Sequence, residues 1–290
     1  MSCCHKSIKE LELLNGSNSG LLLSRYLKEQ KEKEKDKGKK EKDKDNGEKA
    51  RIELFSAVIN AAKKSYDIYK TAYKSRKKYI CGSSADFILN GRMIIGLGAT
   101  NVLENGLTLN HIYGAPIITG SALKGLASHY CSSVLGESDP NFKGPERDEN
   151  NGGIILTKAG EYYEFIFGKV CAKSDSDNEK EKAGFITFHD AWIKPESLSD
   201  SLHFDVMTTH HQDYYDGKAA PTDFDSPNPI SFLSVSGKFE IIVSCKGRKE
   251  DDEKRKSWEK LTLDILKRAF SEFGIGGKTN SGYGVGELKT

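Results

Sequence analysis

No apolar run in this chain approaches the roughly 20 residues that a bilayer-spanning helix requires, so a membrane-embedded protein is not expected. Its six cysteines, at positions 3, 4, 81, 131, 171 and 245, include no C-x-x-C pair. That removes the usual zinc and thioredoxin-like spacings. The chain is long and carries no recognisable leader, so reduced thiols and a cytoplasmic location are expected. A basic excess is missing too: 44 Lys and Arg meet 42 Asp and Glu, a net charge of +2. This is not the signature of a stand-alone DNA-binding domain, although local patches steer binding more than totals do. Catalytic spacings are equally scarce. Neither H-E-x-x-H nor a G-x-S-x-G elbow occurs. Asp190, Asp205, His210, His211 and Asp213 are of types that bind metals or activate water, but they fall in no specific spacing, and adjacent histidines diverge. A structural or interface role is expected for Asp190, Asp205, His210, His211, Tyr214 and Tyr215. No catalytic residue, metal ligand or cofactor is assigned.

What is present begins with length: 290 residues suffice for one large domain or two modest ones. Leu21, Leu22, Leu23, Tyr26 and Leu27 suggest a short packed helix. Residues 28–49 hold ten Lys and eight acidic residues and no aliphatic or aromatic anchor, which predicts a disordered loop. From 50 to 79 apolar residues recur every three or four positions, including Phe55, Ile59, Tyr66, Tyr69 and Tyr73, opposite a lysine-rich face. That pattern predicts a helix whose basic side is solvated or faces phosphate.

Residues 1–85 are therefore read as an N-terminal helical extension. From 86 to 290 the order is strand, helix, strand, strand, helix, strand, an α+β arrangement that fits a ferredoxin-like, RRM-like fold, with insertions at 136–183 and 194–229. Residues 86–98 read as strand with a possible tight turn at Asn90-Gly91. Ser121 is read as the start and cap of a helix. Phe185–Ile193 reads as one core strand, 194–229 as an irregular excursion, 246–257 as a charged stretch, and 258–273 as a helix.

Two glycine-bearing segments point to anion binding. The run Gly274–Gly286 holds six glycines in thirteen residues. Glycine permits unusual backbone angles and close ligand approach, and clustered amides hold anions. Gly274, Gly276, Gly277, Lys278, Ser281, Gly282 and Tyr283 are the candidates. This is not a P-loop, because Glu272 stands where the first glycine belongs and the flanking elements are reversed. The second segment, Pro116–Gly125, places Gly120, Ser121 and Lys124 at a helix start, where free amides and a lysine suit a phosphate. In a βαββαβ core the two segments are expected to share one groove.

These two segments resemble the strand-to-helix motif and the C-terminal glycine-rich loop of the RAMP superfamily of CRISPR-associated proteins. Within it, Asp205–His211, Tyr214-Tyr215, Pro221-Thr222-Asp223 and Pro229–Leu233 resemble the sixth-subunit family of the Cmr, or type III-B, complex. The resemblance covers most of residues 8–290, not 28–49. It implies an RRM-like core, one copy per complex, at the end of the backbone that holds the 3′ part of the guide RNA. It implies guide and target RNA as partners. It also implies contact with the repeated backbone RAMP subunit, the other terminal RAMP subunit and the small helical subunit. In such complexes target cleavage belongs to the repeated subunit. His111 and His129 do not match the histidine of the superfamily's processing endonucleases. An RNA-cleaving RAMP enzyme and a protein-only scaffold remain the alternatives to a guide-holding subunit.

Overall fold

The computed structural model describes residues 17–26, 40–98, 103, 105–148, 154–155, 157–169, 181–209, 212–223, 228–247 and 251–289. The chain divides into two interleaved units, one of residues 1–71, 94–116 and 195–236, the other of 72–93, 117–194 and 237–290. The helices used below are α1 (Ser19–Arg25), α2 (Lys40–Lys64), α3 (Tyr66–Tyr79), α4 (Gly120–Tyr130), α5 (Glu161–Phe167) and α6 (Asp252–Glu272). The strands are β1 (Ser83–Leu89), β2 (Ile117–Ile118), β3 (Gly168–Lys169), β4 (Lys182–Ala183), β5 (Ile186–Phe188), β6 (Ala191–Ile193), β7 (Leu202–Thr209), β8 (Asn228–Val235), β9 (Lys238–Cys245) and β10 (Gly286–Lys289).

The second unit is built on one sheet of order β10-β1-β9-β6-β2, with β5 also on β9 and every neighbour antiparallel. Alternation along the strands sorts side chains between the two faces. Ala85, Phe87 and Leu89 of β1 are buried, as are Phe239, Ile241 and Val243 of β9. On that face Phe87 stacks on Phe270 of α6 with ring centroids 4.0 Å apart. Burying each such ring contributes up to about 3 kcal/mol. The opposite face carries Asp86, Glu240 and Trp192, and α3 covers part of it. Tyr73 donates its hydroxyl to Glu240 (2.9 Å), Lys77 pairs with the same carboxylate (2.8 Å), and the Arg76 guanidinium lies 5.0 Å from the centre of the Trp192 ring. Glu240 is only 2 % exposed, so these partners are what make a carboxylate tolerable in a central strand. A second buried carboxylate, Glu259 of α6, accepts the amide and hydroxyl of Ser83 (3.1 and 2.7 Å) and the amide of Cys245 (2.8 Å). It fastens α6 to the start of β1 and the end of β9.

The expected single strand 185–193 is broken. Phe188 pairs with Val243 and Ile193 with Phe239, so five steps along one strand oppose four along the other. The extra residue is a β-bulge at His189-Asp190, and it turns Asp190 away from the ladder. His189 Nε2 lies 2.9 Å from the Ser244 hydroxyl. Burial, then the charge of Arg76, holds its pKa below the ordinary 6.5 against the opposing pull of Asp190.

In the first unit α1 forms as the leucine pattern predicts. Its N-cap is Asn18, which accepts the Leu21 amide (2.9 Å) and donates to the carbonyls of His111 and Ile112. β7 and β8 form a two-stranded ladder, with Phe55 of α2 edge-on to Phe204 at 5.5 Å. Leu22, Leu54, Val58, Phe232 and Leu233 are buried.

Several expectations are corrected. Residues 40–49 continue the helix α2 where a loop was expected. Gly47 is buried, and the Ser231 hydroxyl donates to Glu48, so tertiary contact outweighs the weak helix propensity of a glycine; residues 28–39 lie outside the described residues. Part of the excursion 194–229 is regular, because the alternation Leu202, Phe204, Val206 finds β8 as its partner. It groups with residues 1–71 and 94–116 rather than with 117–194 and 237–290. Asn90-Gly91 forms no hairpin. The amides of Leu89 and Asn90 bond to the Gly237 and Val285 carbonyls, so this chain end is held by segments remote in sequence. Finally, α6 begins at Asp252, inside the charged stretch and ahead of the expected start at 258, supported by the Asp252–Lys256 pair at 2.8 Å.

Candidate nucleic-acid interface

The glycine-rich run leaves α6 and re-enters the sheet as β10. Its neck is closed by two hydrogen bonds: Ile275 N–H to the Gly284 carbonyl (2.9 Å) and Gly284 N–H to the Arg92 carbonyl (2.8 Å). Gly284 has φ of +72°, and a Cβ there would strike the Ile275 carbonyl. No other residue fits at this position. Ile275 is buried and anchors the neck, while Gly276, Lys278, Asn280, Ser281 and Gly282 are exposed.

Within the loop, Ser281 donates to Lys278, Gly282 to Thr279 and Tyr283 to Lys278. Among the described residues, the amides of Gly276, Gly277, Lys278, Thr279 and Asn280 have no acceptor. Five successive donors without an acceptor, two on residues without side chains, are the groups from which backbone anion sites are built. Lys278 adds a cation and is itself in the left-handed region (φ +59°), alone among the described non-glycine residues. A side chain held there costs about 1 kcal/mol.

The start of α4 differs from expectation. Its N-cap is Thr119, whose hydroxyl accepts the Ala122 amide, and not Ser121. The Ser121 hydroxyl lies 3.0 Å from that of Thr119. Gly120 donates its amide to Asp190 Oδ1 at 2.7 Å, and a Cβ at Gly120 would collide with the Phe188 carbonyl. The bulge and the helix start are therefore one interlocked feature, extended by Arg76, which donates to the Asp190 carbonyl (2.5 Å). A carboxylate already occupies the place where a phosphate was expected, and of the first three α4 amides only that of Ser121 has no acceptor among the described residues. Lys124 is exposed.

The two segments are also not brought together. It is the far end of α4 that meets the loop. Tyr130 donates to Glu272 (2.9 Å), and the His129 and Tyr130 rings lie 5.2 and 5.5 Å from Phe273, the residue before Gly274. Ser121 is nine residues, about 14 Å of helix, from that end. Of the other candidates, Asp205 sits in β7, where its carboxylate accepts the Val206 amide (3.0 Å). Tyr214 and Tyr215 are exposed and edge-on to each other at 5.7 Å. His210 and His211 lie outside the described residues. The sequence gives Thr119 and the Arg92 carbonyl no role, and it places Arg76 only on the basic face of the helix over 50–79. The Thr119-Gly120 pair alone carried a signal, since threonine directly before a helix start is a common cap.

The RAMP superfamily family model matches residues 86–287. Over 259 residues, 78% of this chain and 74% of the relative, the sequence is 28% identical to the CRISPR system Cmr subunit Cmr6 of Pyrococcus furiosus. A chain in the cryo-EM structure of the type III-B Cmr-beta complex bound to cognate target RNA is similar in fold, with a TM-score of 0.56 and 19% identity. That match covers 88% of this chain and 77% of the other.

Proposed function

Since this chain belongs to the RAMP superfamily, we propose that it is a non-catalytic backbone subunit of a type III-B CRISPR effector complex, capping one end and holding the 3′ part of the guide RNA. Its partners are then guide and target RNA, the repeated backbone RAMP subunit, the other terminal RAMP subunit and the small helical subunit. The likeness to Cmr6 supports the complex. The strand order β10-β1-β9-β6, with β5 and β6 as one broken strand, supports a ferredoxin-like reading of the core.

The observation that carries the RNA reading is the row of acceptor-free amides from Gly276 to Asn280 beside Lys278. Such a row binds phosphate oxygens by charge and shape and reads no base edge. The sheet favours the same conclusion. RRM readers stack bases on the exposed sheet face, whereas here Tyr73, Arg76 and Lys77 lie over that face around Trp192 and Glu240. The contribution of Gly120, Ser121 and Lys124 reduces to one amide and one cation, a secondary contact at a distance from the loop.

The test is guide RNA affinity against salt in the assembled complex. Lys278→Ala should lower affinity and flatten the salt dependence by about 0.7 in slope, one phosphate contact on single-stranded RNA. Lys124→Ala should do less. Unchanged affinity, slope and crosslinks in the double variant would remove the loop from the interface. Cleavage of RNA by the purified chain alone would favour the enzyme alternative.

A further inference from the structure

A second surface of the sheet unit carries aromatic rings that the RNA reading does not use. Phe165 of α5 lies between two parallel rings: Phe185, with centroids 4.7 Å apart and planes at 10°, and Trp258 of α6, at 4.3 Å and 26°. Tyr162 meets Trp258 edge-on at 5.6 Å. The column is not sealed. Phe185 is 49 % exposed and Tyr162 36 %, so the last ring offers a free face to solvent.

These rings floor an open cleft of about 230 Å³. That is below the roughly 300–1,000 Å³ of cofactor and drug-sized sites and suits one large side chain. Glu161 and Glu164 of α5 line it together with Lys169 and Lys182 of the β3–β4 ladder. Lys169 is already partnered. Neither glutamate forms an ion pair with a described residue, so among those residues both carboxylates keep free acceptor oxygens beside an open aromatic face.

One side chain matches both features. A guanidinium is planar, weakly hydrated and stacks on aromatic faces, while its fork of N–H donors pairs with carboxylates. An ammonium group pairs but does not stack. We propose that this cleft receives an arginine side chain from a protein partner, stacked on Phe185 and hydrogen-bonded to Glu161 and Glu164. The assignment does not depend on the glycine loop and stands or falls separately.

Fluorine NMR of the full chain labelled with 5-fluorotryptophan tests it. The chain has two tryptophans, and a Trp192→Phe sample assigns the Trp258 resonance. Titration with N-acetylargininamide should shift that resonance saturably with a dissociation constant of about 1–10 mM, as expected of one isolated side chain. N-acetyllysinamide should bind several-fold more weakly and N-acetylglutaminamide should give no saturable shift. The Glu161→Gln, Glu164→Gln pair preserves shape at the surface and should weaken arginine binding at least ten-fold with the spectrum of the free protein intact. A non-saturating response to arginine, or an equal response in the double variant, overturns the proposal. So does saturable binding of oligouridylate that Phe185→Ala abolishes and the double variant leaves unchanged, which would make the column a nucleobase platform.

Discussion

Gly120 donates its amide to the Asp190 carboxylate at 2.7 Å, so a residue thrown out of the sheet by a bulge closes the helix start that sequence alone marks as an anion site. Replacing Asp190 by alanine leaves that buried glycine's amide without an acceptor. Hydrogen bonds to charged groups contribute about 1.5–3 kcal/mol. Asp190→Ala should therefore lower unfolding stability by about 1.5–2 kcal/mol, the lower part of that range because the aspartate is solvent-exposed. Asp190→Asn keeps an acceptor oxygen and should lose less. Urea unfolding of both variants checks this. If the alanine variant gained phosphate or RNA affinity at α4, the helix start would be a masked anion site rather than a closed one.

Lys77 and Glu240 make a pH-dependent contact. The hydrogen bond from Lys77 to Glu240, then their Coulomb attraction, raise the lysine's pKa above the ordinary 10.5. A raised folded-state value adds stability that is complete below about pH 10.5 and lost as pH rises through the folded value. Unfolding curves from pH 9 to 12 should show this decline and should show less of it in Lys77→Ala. The variant itself should lose about 1–3 kcal/mol at neutral pH, between an exposed and a buried broken pair, because Glu240 stays buried.

Cysteine reactivity should follow burial. The Cys131 thiol is pushed up to about 12 by desolvation, and burial, then the Glu259 charge, raises that of Cys245. Cys81 is exposed. Iodoacetamide at pH 8, read by peptide mass spectrometry on the native chain, should modify Cys81 well before the other two. Faster labelling of Cys131 would mean that α4 opens locally.

Lys278→Gly separates strain from charge. Glycine adopts the left-handed conformation freely, which offsets the entropy it adds to the unfolded chain. Thermal stability should change by less than about 1 kcal/mol, while guide RNA affinity should fall as far as in Lys278→Ala. A large stability loss would show that the lysine side chain holds the loop, and its binding role would then need another measure.

Deleting residues 40–49 should lower the melting temperature, because Gly47 is buried and Glu48 receives the Ser231 hydroxyl. An unchanged melt would return this stretch to the solvated-loop reading that its composition suggested.

The core was legible where one helix buries one face: Leu266, Ala269 and Phe270 of the helix expected at 258–273 are buried. It was illegible where the partner is remote. Nothing around Asn90-Gly91 says that the Gly237 and Val285 carbonyls will take the amides of Leu89 and Asn90. A bulge is invisible too, because the one-residue excess at His189-Asp190 exists only relative to β9. The glycine loop was recognisable as a motif, but which of its amides remain open depends on the neck bonds of Ile275 and Gly284. The expectation of a shared groove failed because element order gives neighbourhood and not which end of α4 faces the loop.

The open amides of Gly276 to Asn280 carry a further consequence for a guide-holding subunit. A peptide N–H has no alphabet. It treats adenosine and uridine alike, because every nucleotide brings the same phosphate to it. Under the proposed reading this loop encodes nothing about which invader is to be recognised. A cell that acquires a new guide can load it into an unaltered protein, and all heritable change in what the complex targets is confined to the RNA.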